Sequence, residues 1–132
     1  MTDKEFAAAK ARVWKYVRKW DEPLGLRWWR QAHEWCREPI GEASEGRFVG
    51  GRATVDWKYR LVTYQWYLPG LAKLLNDDIE ETVVHEMMHV LVAEMRQWEN
   101  ANDALDHEER CCTVLARAFQ YIADNPFPKE KK

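Results

Sequence analysis

The sequence contains few cysteines and no long hydrophobic segment. Only three of its 132 residues are cysteine, and two of these, Cys111 and Cys112, are neighbours in the chain. Neighbouring cysteines on a helix point in different directions, so they do not form the disulfide framework of a small secreted domain. No apolar run approaches the roughly 20 residues of a membrane-spanning helix, and the N-terminus does not resemble a secretory leader. We therefore expect a reduced, cytoplasmic protein that does not insert into a membrane.

Net charge is also small. The chain carries a formal charge of −2 at pH 7 and lacks the excess of Lys and Arg that marks a nucleic-acid-binding protein. The charge is unevenly placed, because residues 1–75 contain 14 Lys and Arg against 9 Asp and Glu, whereas residues 76–132 contain 6 against 13. An acidic half fits a protein that holds a cation, and solvated helix faces would give the same pattern. The charge predicts no nucleic-acid partner and leaves the oligomeric state open.

Apolar and aromatic side chains are plentiful. Hydrophobic residues make up 46% of the chain and aromatic residues 13%, which is enough for the core of one small domain. No internal repeat and no low-complexity segment is visible in the sequence. We therefore expect a single domain over residues 1–128, followed by a disordered tail over 129–132.

The N-terminal half predicts a helix followed by strands. A capping box, Thr2-x-x-Glu5, opens an amphipathic helix that we expect to end near Trp20. Runs rich in β-branched and aromatic residues then predict three strands, the last two joined as a hairpin. Their expected ranges are 27–36, 47–56 and 60–68. The first of them alternates imperfectly, and a short helix is the alternative there. It contains His33, which we expect to be a hydrogen-bonded strand histidine rather than a metal ligand.

The C-terminal half predicts two helices. After a helical turn over 71–75, Asp77 and Glu80 have the spacing of a helix cap and its reciprocal partner. The helix that they open is expected to end near Trp98, and a last helix covers 104–123. The predicted fold class is therefore α+β. It consists of an N-terminal helix, a small and largely antiparallel sheet of about three strands, and two C-terminal helices.

The first of these helices carries the motif His85-Glu86-x-x-His89. Residues four apart lie on nearly the same face of a helix, so the two histidines can bind one Zn²⁺ ion while Glu86 reaches a water on the metal. All other residues from 83 to 92 are apolar: Val83, Val84, Met87, Met88, Val90, Leu91 and Val92. Burying two histidines and a glutamate without partners is costly. The motif therefore predicts a zinc site.

Two histidines do not complete that site, because catalytic zinc takes three protein ligands and keeps one position open. The longer pattern H-E-x-x-H-x-x-G-x-x-H is absent, since Val92 stands at the glycine position and no histidine follows at the required spacing. The last helix offers four candidates for the third ligand, which are Asp106, His107, Glu108 and Glu109.

An HExxH motif followed about twenty residues later by a glutamate on a second helix resembles the gluzincin metallopeptidases, the thermolysin-like group. The group has small residues three and seven positions after the ligand glutamate and a polar residue four positions after it. Glu109 matches, with Cys112, Thr113 and Ala116 at these positions. Glu108 is the alternative third ligand and matches less well. The order of elements is also similar to that of minimal, single-domain gluzincins, including small proteins encoded by phages and prophages.

The resemblance implies a zinc-dependent metallopeptidase that hydrolyses peptide bonds through a metal-bound water, with Glu86 as general base. It also implies that a protein or peptide substrate binds in extended form along the edge strand of the sheet. Larger gluzincins stabilise the oxyanion with a residue from a second domain, for which this chain offers His107, Tyr64 and Tyr67 as candidates. Trp66, Tyr64 and Trp57 are candidates for the substrate pockets. The alternative function is a non-catalytic, zinc-stabilised module that binds a protein.

Overall fold

The chain folds into a small sheet with helices before and after it in the sequence. The computed structural model describes residues 1–42, 46–93 and 101–126, with the backbone alone over 101–106. The helices are α1 (Asp3–Asp21), α2 (Leu68–Leu71), α3 (Asn76–Val92) and α4 (Ala101–Asp124), and the strands are β1 (Arg30–Cys36), β2 (Gly51–Asp56) and β3 (Leu61–Tyr67). The predicted α+β class is confirmed. No helix of the described residues has the length and apolar character needed to cross a membrane.

Helix α1 begins at the predicted capping box. The backbone N–H of Thr2 donates to the Glu5 carboxylate at 2.7 Å, and the N–H of Glu5 donates to the Thr2 hydroxyl at 3.2 Å. Two N–H groups that the helix leaves without a partner are thereby satisfied. One face of α1 is buried against the rest of the molecule and consists of Ala9, Val13, Tyr16, Val17 and Trp20. The helix ends at Asp21, two residues before Pro23.

The sheet is mixed rather than largely antiparallel. Its strand order is β1-β3-β2, with β2 antiparallel to β3 as the predicted hairpin requires. Strand β1 runs parallel to β3, with Arg30 aligned to Leu61. A short turn forces two strands to be antiparallel, whereas the long connection from β1 to β3, which includes β2, permits a parallel pair.

Strand β2 forms one edge of the sheet. The N–H of Tyr67 donates to the carbonyl of Gly50 at 2.9 Å, which fixes the alternation of the hydrogen bonds along this antiparallel pair. By that alternation the backbone groups of Gly51, Ala53 and Val55 point away from β3. Helix α3 packs alongside β2, so part of this free edge faces α3.

The start of α3 differs from the predicted cap. The helix begins at Asn76, and Asp77 lies in its first turn, where a carboxylate is favourable near the helix N-terminus. Glu80 is buried and accepts hydrogen bonds from Trp20 Nε1 at 2.7 Å and from Lys19 Nζ at 2.5 Å. It therefore ties α3 to α1 instead of capping its own helix.

Other boundaries also shift. The predicted turn over 71–75 lies earlier, in α2, because Pro69 fits the first turn of a helix. Helix α4 begins at Ala101 rather than near 104. The predicted end of the motif helix near Trp98 and the predicted tail over 129–132 fall outside the described residues. The shared core joins α1, the sheet, α2, α3 and the buried side of α4, where Cys112 and Ala116 lie.

Candidate metal centre

The motif side chains lie where α3 meets α4. His89 and Glu86 are buried, His85 is half-buried, and the four-residue spacing puts both imidazoles on the side of α3 that faces α4. Across from them α4 presents Glu108 and Glu109. Cys112 and Ala116 are fully buried between the helices, and their small side chains let the two backbones approach closely.

Three ligand-type side chains converge at this point. The Nε2 atoms of His85 and His89 lie 3.2 Å apart. One Glu109 oxygen lies 3.0 Å from Nε2 of His85, and the other lies 3.0 Å from Nε2 of His89. Imidazole nitrogen and carboxylate oxygen bind Zn²⁺ at about 2.0–2.1 Å, which separates the ligands of a tetrahedral ion by about 3.3 Å. The three side chains therefore fit a metal ion of this size.

Hydrogen bonds on the far side of each ring fix the tautomers. Nδ1 of His85 lies 3.3 Å from the Thr113 hydroxyl, which donates its own hydrogen to the carbonyl of Glu109 at 3.0 Å. The hydroxyl must then accept from Nδ1–H of His85. Nδ1 of His89 lies 2.9 Å from Glu108 Oε1, a carboxylate oxygen that accepts. In its neutral form, each ring would therefore carry its proton on Nδ1, which leaves the lone pair of Nε2 facing Glu109.

Two groups of described side chains could hold a metal ion. The first is His85, His89 and Glu109, and the second is His89, Glu108 and Cys112, which is completely buried. The two share His89 through its two different nitrogens. In the second group burial raises the pKa of the Cys112 thiol, and a protonated thiol is a poor ligand.

His89 and Glu109 shift the pKa of one another. Burial by itself lowers the pKa of His89, but hydrogen bonds with Cys112, Glu109 and Glu108 outweigh this and raise it to about 11. The hydrogen bonds with His85 and His89 hold the pKa of Glu109 well below its usual range. Both shifts have the same consequence: they favour positive charge between the histidines and Glu109. A cation bound there would supply that charge.

Glu86 lies on the β2 side of the centre. Burial raises the pKa of its carboxyl group, and the nearby His85 and His89 partly offset this effect. The backbone N–H of Ala53, which points away from β3, lies near the carboxylate and slightly lowers its pKa. Gly51 gives Glu86 its space, because a Cβ there would lie 2.9 Å from Glu86 Cγ and 2.9 Å from the Trp66 ring. The edge strand thus holds Glu86 in place.

An open cleft of about 870 Å³ runs between β2 and α3 and reaches the cluster. His85, Glu86, His89 and Glu109 line one part of it. The rest is lined by β2 with the residues before it and by the first turns of α3, including Val49, Gly50, Leu74, Asp78 and Thr82. The cluster is therefore accessible to a molecule that lies along the strand.

Several aromatic residues predicted for this site lie elsewhere. Tyr64 and Trp66 are fully buried in the core, and Trp57 lines a separate cavity with Trp29. Tyr67 packs edge-on against Phe48. His107 is exposed on α4. Among the described residues, none of these four aromatic side chains and no atom of His107 lines the cleft.

The hydroxyl of Tyr64 is inaccessible and has no hydrogen-bond partner among the described residues. Its burial raises the pKa of this phenol far above the usual range. As placed, Tyr64 can neither form a substrate pocket nor reach an oxyanion in the cleft. The alternation of residues along a strand does not by itself show which face of the sheet is covered. The burial of Tyr64 was therefore not predicted from the sequence.

Two features of the cluster were not predicted. Glu108, considered only as an alternative third ligand, is the buried partner of Nδ1 of His89. The contact of the Ala53 backbone with Glu86 was missed because it depends on the position of an edge strand relative to α3.

No family model, curated protein or solved structure matches the chain.

Proposed function

We propose that this protein is a zinc-dependent metallopeptidase in which His85, His89 and Glu109 hold the ion and Glu86 is the general base. The observation that carries the proposal is the convergence of two Nε2 lone pairs and a carboxylate within 3.0–3.2 Å of one another. Three acceptors this close repel each other unless a cation or proton lies between them. The resemblance to gluzincins supports the same ligand set.

The ligand types favour zinc. Two imidazoles and one carboxylate are the protein ligands of a catalytic zinc site that keeps a fourth position open. The fourth position would face the cleft, because Glu109 and His85 are the more exposed of the three ligands and both line the cleft. The second group, which consists of His89, Glu108 and Cys112, is buried and gives a substrate no access. Its Glu108 and Cys112 are better placed to support His89 than to take part in catalysis.

Glu109 is the better third ligand because its two oxygens contact Nε2 of both histidines. Glu108 instead contacts Nδ1 of His89, on the opposite side of the ring. A carboxylate in that position orients the imidazole and increases its basicity as a ligand. The two neighbouring glutamates therefore have different tasks.

A zinc ion bound by these residues would supply a Lewis acid and lower the pKa of a coordinated water. Glu86, which lies beside both histidines, would accept the proton of the attacking water and deliver it to the leaving amine. Glu108 and Thr113 keep the two imidazoles oriented through both steps.

The cleft suits a protein or peptide substrate in extended form. The backbone groups of Gly51 and Ala53 point away from β3, toward the side on which α3 and the cleft lie. An extended chain can hydrogen-bond such an edge, which brings its own carbonyl groups past the cluster. The N–H of Ala53 lies near Glu86, so the carbonyl of Ala53 and the backbone of Gly51 are the edge groups available for the substrate.

The test compares wild type with Glu86→Gln. Both proteins are loaded with zinc and incubated with a denatured protein mixture, and new N-termini are mapped by mass spectrometry. The variant should keep its zinc, because Glu86 is not a ligand, and lose about 10²–10⁴ in cleavage rate. Equal cleavage by both proteins would exclude this mechanism. A wild type that holds zinc but cleaves nothing would favour the non-catalytic, protein-binding module.

A further inference from the structure

A second groove lies at the opposite edge of the sheet from the metal centre. It has a volume of about 730 Å³ and lies between α1 and β1. Lys10, Trp14, Lys15, Arg18, His33 and Trp35 line it, and we call it the α1–β1 groove. The strand order β1-β3-β2 separates it from the cleft beside β2 by two strand spacings, or about 10 Å.

The charged residues of the α1–β1 groove are all cations. Lys10, Lys15 and Arg18 are exposed, and no carboxylate of the described residues lines the groove or forms an ion pair with them. This contrasts with a chain whose formal net charge is −2. Three neighbouring cations without a carboxylate repel one another, and an anionic ligand would relieve that repulsion.

The tryptophan rings that line the groove are already covered by two of its cations. Lys10 Nζ lies over the Trp35 ring at 5.2 Å, and Arg18 lies over the Trp14 ring at 5.4 Å. The His33 ring is stacked with Trp35 at an interplanar angle of 15°. Binding of single-stranded nucleic acid depends on aromatic faces on which bases stack. The groove keeps its cations on these faces, which favours a ligand recognised by its charge.

Strand β1 adds a backbone surface beside the cations. The N–H of Arg30 donates to the carbonyl of Arg60 at 2.8 Å, so Arg30 and every second residue after it bond to β3. The backbone groups of His33 and Trp35 therefore point away from β3. Outside the strand pairing, no backbone hydrogen bond of the described residues involves these two positions.

We propose that the α1–β1 groove binds an acidic peptide segment in an extended conformation. Its backbone pairs with the free edge of β1 at His33 and Trp35. Its carboxylates lie along α1 and contact Lys10, Lys15 and Arg18, which are spaced over two turns of the helix. The apolar stems of these cations and the two tryptophans form the dry side of the groove. The proposal does not depend on the peptidase function.

The probe is a fluorescein-labelled hexaglutamate peptide, with fluorescence anisotropy of the full chain at low ionic strength. The groove variant combines Lys10→Gln, Lys15→Gln and Arg18→Gln. The control variant removes the same charge from exposed lysines elsewhere, with Lys4→Gln, Lys58→Gln and Lys73→Gln. All six side chains are exposed, so both variants should fold, which circular dichroism and thermal melting verify.

We expect the groove variant to bind hexaglutamate at least about tenfold more weakly than wild type, and the control variant to remain within about twofold. Binding should weaken as salt rises. A wild type that does not bind the peptide, or an equal loss in both variants, would overturn the proposal. Tighter binding of hexathymidylate than of hexaglutamate, lost in the groove variant, would assign the groove to single-stranded nucleic acid instead.

Discussion

The Nδ1 atom of His89 lies 2.9 Å from Oε1 of Glu108, and both side chains are buried. This contact sets the orientation of the imidazole and leaves its other nitrogen for the cluster. A buried carboxylate behind a histidine is the arrangement that metal sites use to hold a ligand ring in one tautomer. It also separates the tasks of two glutamates that are adjacent in the sequence.

The first prediction compares those glutamates. Glu109→Gln should weaken zinc binding by more than about 100-fold, because it removes a charged ligand. Glu108→Gln keeps an oxygen that accepts from Nδ1 of His89 and should cost only about tenfold. A competition titration with a chromophoric chelator ranks the two variants. The reverse order would make Glu108 the third ligand.

The second prediction concerns Thr113, whose hydroxyl accepts from Nδ1 of His85. Thr113→Val removes the acceptor with little change in volume and should weaken zinc binding about tenfold. Thr113→Ser keeps the hydroxyl and should bind zinc nearly as wild type does. The same titration decides this, and equal affinities for Val and Ser would show that the hydroxyl does not orient His85.

The third prediction tests the packing of Glu86 against β2. Gly51→Ala places a methyl group 2.9 Å from Glu86 Cγ and 2.9 Å from the buried Trp66 ring. It should destabilise the protein by about 1–3 kcal/mol and lower any cleavage rate. Gly41→Ala is the matched control, because its methyl group closely approaches only the end of the flexible Arg52 side chain and otherwise makes an ordinary contact with Val49. Thermal unfolding should separate the two, and equal melting temperatures would contradict this packing.

The fourth prediction is a pH dependence from His33. Burial lowers the pKa of His33 to about 4, and its Nδ1 accepts from Trp66 Nε1 at 3.1 Å. The unfolded chain binds this proton near pH 6.5 and the folded protein only near pH 4. Stability should therefore fall as the pH drops through this window, by about 1–2 kcal/mol after allowance for solvent screening.

Denaturant unfolding at several pH values measures this effect. His33→Gln retains a group that can accept from Trp66 and does not titrate, so it isolates the contribution of His33 from that of the other histidines. The slope of stability against pH between about 4 and 6.5 should be smaller in the variant. An identical slope in both proteins would mean that His33 does not hold a depressed pKa.

The sequence predicted features that depend on local spacing. The capping box at Thr2 and the hairpin of β2 and β3 follow from neighbouring residues, and both are confirmed. The four-residue spacing of His85 and His89 likewise required that they share a face of α3. The parallel pairing of β1 with β3 depends on contacts between distant parts of the chain, which periodicity does not encode.

Tertiary packing explains the remaining differences. Glu80 has the spacing of a capping partner, but the indole of Trp20, 60 residues away, binds its carboxylate. Tyr64 and Trp66 have the composition of a binding surface, yet both are fully buried, and the His33 ring is stacked against each of them. Adjacent helical residues differ by about 100° in direction. The tasks of Glu108 and Glu109 therefore depend on how α4 is rotated about its own axis. In the sequence, only the small residues near position 112 indicated that rotation.

Zinc content tests the central claim most directly. Elemental analysis of the purified protein should find about one zinc per chain, and His85→Ala and His89→Ala should each remove nearly all of it. His107→Ala, which changes an exposed histidine on the same helix as Glu109, should leave the zinc content unchanged. A wild type without zinc after incubation with the ion, or undiminished zinc in both His85→Ala and His89→Ala, would contradict the account.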